Sequence, residues 1–278
     1  MHKMKGEGIM TRKTSILSAG YFSFMILAYV SSVISGALSL ILYFLAFSVP
    51  FILAYFADRD DSDRSVKYFK LDALGTKTTL LVLFPSVFAV LSVSLITNLI
   101  IPATIGITNS ANLGDSLVFA LVYHAIFPAV MEEMLFRYLP LKLLSGYSRR
   151  GAVLLSAVFF AMVHRNVFSI PYAFVGGVIF MTLDIVTDSV LPSIIIHFIN
   201  NLLSVLMIFF GDNNVFAISF YSFLILGTTI SVIFLIKNKT VVKENISYAF
   251  SSGDRVTATP SLCLFLGASL IMTILNLF

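Results

Sequence analysis

Glu132 and Glu133 are adjacent carboxylates, and a guanidinium, Arg137, follows four residues after the second. The stretch is VMEEMLFR (130–137), near the end of a long apolar run. Ionisable groups inside a membrane span are expensive and usually functional. Glu133 and Arg137 are four apart, so they share a helical face and can pair. Glu132 is rotated by about 100° from Glu133 and cannot face Arg137 equally well. The spacing divides the labour. Glu133 pairs structurally with Arg137, and Glu132 is free toward a cavity. The competing reading puts both acids at the headgroup level, where charge costs little.

Two histidines extend the set. His164 follows Phe160 by four residues in FFAMVH, and His197 precedes Asn201 by four in HFINN. A positioned carboxylate or imidazole can activate water. An amide such as Asn201 can donate to a developing oxyanion. Glu132, His164 and His197 also offer a ligand set for a divalent metal such as zinc with an open position. No HExxH is present, which excludes a standard zincin helix. GxSxG, Walker A and GxGxxG sequences are absent too. Pro128 leaves the carbonyl of His124 without its helical donor, and a kink there would open a pocket one turn before the acids. His124 lies two turns before Glu132 and reads as a buried hydrogen-bonding group. Asp188 belongs to a turn or caps the helix that follows it; Asp184 has no settled role.

The elements that must position these groups are membrane helices. Hydrophobic residues make up 58% of the 278-residue chain and charged residues 12%, about half the usual charged fraction. Uncharged stretches such as 14–57, 78–113 and 213–236 exceed the roughly 20 residues a spanning helix needs. The fold class is therefore all-α, a polytopic membrane helical bundle of about eight to nine transmembrane helices in one integral membrane domain, 1–278. The expected helices are 15–34, 37–57, 78–101, 114–137, 151–169, 171–187, 189–211, 214–236 and 260–278. A hairpin turn falls at Ser35–Gly36, and the sixth helix, carrying Asp184, is short. Basic residues fall in alternate connections, and Arg165 alone falls on the other side. This predicts a cytoplasmic N-terminus. The pI near 9.1 thus reflects topology, and no nucleic-acid partner is expected. Lys237–Thr259 reads as a surface-lying stretch. Cys263 is single, so no internal disulfide is available.

At this depth the motifs conflict. The expected helix ends place Glu132 and His197 about 8–12 Å inside one boundary and His164 about 20 Å inside it. A common site requires the fifth helix to begin inside the cytoplasm or to tilt.

Three ordered patterns carry a resemblance: EEMLFR matches EExxxR, FAMVH matches FxxxH, and HFINN matches HxxxN. Together they resemble the CPBP (Abi) family of CAAX prenyl proteases and bacteriocin-processing enzymes, over 116–203, which would be the catalytic core. The resemblance implies an all-helical intramembrane endopeptidase. It makes Glu132 the carboxylate that polarises the attacking water and His164 its assistant. His197 and Asn201 would hold the oxyanion, Glu133 and Arg137 would brace the site, and Phe160 would pack it. A metal-free, glutamate-dependent reaction is favoured over a metal-dependent one.

The expected partners are the lipid bilayer and a hydrophobic or lipid-modified peptide cut near the cytoplasmic face. In a bacterial cell membrane this would serve pheromone or bacteriocin maturation, or immunity. The alternatives are a non-catalytic membrane scaffold regulating a partner protein and, last, a transporter. Neither needs the complete acid–His–His–Asn set.

Overall fold

The computed structural model describes residues 2–58, 77–100, 116–146, 148–251, 253 and 256–276. Among these residues there are ten helices and no strand. They are α1 (His2–Val33), α2 (Ala37–Asp58), α3 (Lys77–Leu95), α4 (Leu117–Leu144), α5 (Arg149–Val163), α6 (Ser169–Thr187), α7 (Leu191–Phe210), α8 (Asn214–Lys237), α9 (Lys239–Ala249) and α10 (Pro260–Leu275). The protein is an all-α membrane helical bundle. Six helices, α1, α2, α4, α6, α7 and α8, are long and apolar enough to cross a membrane. The basic loop expected at 59–76 lies outside the described residues.

Helices α1 and α2 form the hairpin expected from the sequence. Gly36 turns the chain at φ +79, a backbone conformation glycine adopts without steric cost. Helix α1 also packs on α10 and on the end of α4, closing one side of the bundle. The other side is α3 against α6, α7 and α8. Between them stand α4 to α7, which carry the candidate residues. Gly177 lets α6 approach α5 closely: a Cβ there would lie 2.7 Å from the Ala157 Cα.

Two of the expected helices have different ends, and the difference matters. The helix expected at 114–137 runs on to Leu144. It passes through two π-turns, Leu121–Ile126 before Pro128 and Met134–Tyr138 before Pro140. The π-turns absorb the prolines without breaking the helix. The helix expected at 151–169 starts at Arg149, where the Ser148 hydroxyl accepts from the Gly151 N–H, and ends at Val163. Arg165 then takes a left-handed conformation, φ 50. The Asn166 side chain accepts from the Phe168 N–H, which starts the turn into α6. At fifteen residues α5 is too short to cross fully. Within the stretch expected to lie on the surface stands the short helix α9, with Arg149 of α5 stacked 4.1 Å from the Tyr248 ring.

Candidate active site

Proline explains how α4 is held at the acids. Pro140 has no N–H, so the Phe136 carbonyl loses its donor in the α register and the Leu135 carbonyl loses its donor in the π register. Neighbouring helices supply both. Tyr21 Oη of α1 donates to the Leu135 carbonyl at 2.8 Å, and Ser156 Oγ of α5 donates to that of Phe136. Ser156, Phe160 and His164 are four apart, one stripe of α5 turned toward α4. The stripe binds the π-turn, covers Arg137 and reaches the cavity beside Glu132.

The two glutamates have opposite surroundings. Glu133 is fully buried, and its Oε2 lies 3.0 Å from Arg137 Nε. Its Oε1 lies 2.6 Å from His197 Nδ1. A carboxylate accepts, so His197 donates from Nδ1 and presents Nε2 to the other side. That nitrogen lies 3.9 Å from Glu132 Oε2. The Glu132 side chain is 28% exposed. It lines a cavity of about 130 Å³ with His164, Arg165, Val163, Phe136, Phe24, Met25 and Ala28. Space of this size holds several waters.

Aromatic rings fix the rest. The Arg137 guanidinium lies 4.0 Å from the Phe160 ring and 5.1 Å from that of Phe180. Cations over ring faces are attracted, more so where water is excluded. Phe160 also meets the rings of His164 and His197. His164 donates from Nδ1 to the Phe160 carbonyl at 2.7 Å, because a carbonyl only accepts. Its Nε2 is then a lone-pair acceptor. Asn201 Oδ1 accepts from Asn200 Nδ2 at 3.3 Å, leaving the Asn201 amide N–H₂ to donate elsewhere.

The fold thus brings Glu132, Glu133, Arg137, Phe160, His164 and His197 into one neighbourhood, with Asn201 one turn beyond His197. The depth conflict between Glu132 and His164 disappears. With α4 running to Leu144, Glu132 lies about 18 Å from that helix end. His164 closes α5, about 22 Å from its start. His124 is half-buried against Tyr123 and does not line the cavity. Asp188 closes α6 in the left-handed conformation, within the turn before α7. Sequence reasoning uses Arg165 only for topology and misses Tyr21, Ser156 and the α1 wall. Pro140 is the available signal: two carbonyls without donors require side chains from elsewhere.

Among the described residues, no three His, Cys, Asp or Glu side chains converge as metal ligands.

Residues 114–203 match the family described as Rce1-like, type II CAAX prenyl endopeptidase. The match spans about a third of the chain. It bears out the resemblance read from EExxxR, FxxxH and HxxxN and supports an intramembrane endopeptidase in general. No curated protein and no solved structure matches the chain. The match and the six apolar helices together point to a multi-pass membrane protein.

Proposed function

We propose that the protein is a glutamate-dependent intramembrane endopeptidase that cuts a hydrophobic or lipid-anchored peptide near the cytoplasmic face. One observation carries this reading. Glu132 shares a cavity of about 130 Å³ with His164, while Glu133 aims His197 Nε2 toward the same carboxylate.

Glu132 takes a proton from a water in the cavity, and His164 Nε2 accepts a hydrogen bond from that water's other O–H, which stays on the oxygen. The water oxygen bonds to the peptide carbonyl carbon. The carbonyl oxygen becomes an oxyanion and accepts N–H bonds from Asn201 Nδ2 and from a His197 that has taken a second proton from solvent on Nε2 before the peptide binds and keeps it throughout. Glu132 then returns its proton to the leaving nitrogen as the C–N bond breaks. Glu133 holds His197 in orientation, and Arg137 holds Glu133. General base and oxyanion donors each contribute about 10²-fold or more. No step needs a metal ligand beyond these groups.

Basic residues such as Lys142, Arg149 and Arg150 cluster at the α4–α5 connection, which supports a cytoplasmic side for that connection. A bacterial cell membrane, with a peptide pheromone or bacteriocin as the processed molecule, fits this form.

Comparison of membrane peptidomes by mass spectrometry tests the reading. The strains carry the wild-type protein, Glu132→Gln or a deletion, at matched expression. Defined peptides should vanish with both changes. If they persist in Glu132→Gln while the deletion retains a phenotype, the chain acts as a scaffold and the catalytic reading fails.

A further inference from the structure

Asp184 is a fully buried acid on α6 that the reaction above does not use. Its surroundings are specific. Ser193 Oγ lies 2.8 Å from Asp184 Oδ2 and also 2.8 Å from the Val190 carbonyl. A hydroxyl carries one proton, and a carbonyl only accepts. The Val190 carbonyl also receives the Ile194 N–H at 3.2 Å. A neutral Asp184 meets both Ser193 contacts at once: Ser193 donates to the carbonyl and the acid's own proton bonds to Ser193 Oγ. Its other oxygen, Oδ1, is buried without a hydrogen-bond partner among the described residues.

The complement lies on α4. Arg137 Nη1 and Nη2 are buried without hydrogen-bond partners among the described residues. Its Nε faces Glu133 as an ion pair by distance that is not aligned as a hydrogen bond. Guanidinium N–H groups left unpaired away from water are costly. Arg137 lies over Phe180, and Phe180 and Asp184 are four apart on one face of α6. The π-turn that carries Arg137 packs directly on α6. An orphaned donor fork and an orphaned acceptor therefore stand one helical turn apart in the same buried layer.

We propose that Asp184 is a positioning residue. Its Oδ1 accepts, through a buried water, from the Arg137 guanidinium, which holds Glu133, which in turn holds His197. Asp184 acts on the reaction only through that chain. Its effect on turnover rests on the proposed hydrolysis, but its effect on His197 does not.

The test uses the full chain in nanodiscs with ¹⁵N-labelled histidine. There are four histidines in the sequence, His2, His124, His164 and His197, and the spectrum of His197→Gln assigns the signals of the last. Asp184→Leu should shift the His197 ring signals. Asp184→Asn, which keeps a donor for Ser193 and an acceptor for Arg137, should leave them in place. In the Glu132-dependent cleavage assay, Asp184→Leu should lower kcat about 10- to 100-fold with little change in KM, and Asp184→Asn should retain most of the turnover. Unmoved His197 signals in Asp184→Leu overturn the proposal. So does an Asp184→Asn that behaves like Asp184→Leu, since the acid would then act as a charge. If Asp184→Leu does not fold, Ser193→Ala frees the acid from its anchor and should shift the same signals; no shift overturns the proposal equally. A shift without Glu132-dependent cleavage upholds the coupling and removes the protease reading. Cleavage without a shift does the reverse.

Discussion

Glu132 and Glu133 adjoin in the chain but face different media. One borders a cavity; the other is sealed between a guanidinium and an imidazole. Their substitutions should therefore separate in two measurements. Glu132→Gln should lower cleavage at least about 100-fold while leaving thermal stability of the purified protein close to wild type. Glu133→Gln should lower both, because it leaves a buried Arg137 without its anion. Loss of one partner from a buried pair costs about 3–5 kcal/mol. A Glu133→Gln protein that melts like the wild type would remove the bracing role. Asn201→Ala should lower kcat by about 10²-fold with KM held, as removal of an oxyanion donor does. The i,i+4 spacing of Glu133 and Arg137 makes this pair legible from the amino-acid sequence. The bond from Glu133 to His197 is not legible there, because 64 residues separate them and no local period reports such a contact.

At the scale of elements, two features hold the site, and each has its own test. Gly177 brings α6 against Ala157, so Phe160 of α5 and Phe180 of α6 can both lie on Arg137. Gly177→Val should destabilise the protein by about 1–3 kcal/mol, as overpacking does, visible as a lower melting temperature. Ser156→Ala removes the donor to the Phe136 carbonyl that Pro140 orphans, and should cost about 1 kcal/mol in the same assay. The all-α bundle and most helix positions follow from apolar run length, which is a local property. The ends of α4 and α5 do not. Apolar residues resume at Val167 after His164, Arg165 and Asn166, so composition alone does not mark the end; the left-handed Arg165 and the Asn166 cap stop the helix. The extension of α4 past Arg137 is hidden in the sequence because charge and proline both suggest an end. Here Arg137 is neutralised by Glu133, and the orphaned carbonyls find donors on α1 and α5.

At the scale of the whole molecule, the chemistry and the walls around it come from different parts of the chain. Every residue proposed for catalysis lies within 114–203, the stretch that matches the Rce1-like family. Yet Phe24, Met25 and Ala28 of α1 form one wall of the cavity, and Tyr21 holds the π-turn beneath the acids. A segment of 114–203 alone would leave the Leu135 carbonyl without its donor and Glu132 without its enclosure. The N-terminal helix should therefore govern access to the site without taking part in the reaction. Ala28→Leu puts a larger side chain into a cavity of about 130 Å³. It should lower kcat/KM by about 10-fold or more, the scale at which added methylenes discriminate in a packed pocket. Ala28→Gly should leave it near wild type, and neither change touches Glu132, His164 or His197. Equal cleavage by Ala28→Leu and wild type, at equal stability, would mean that the peptide reaches Glu132 by a path that avoids α1.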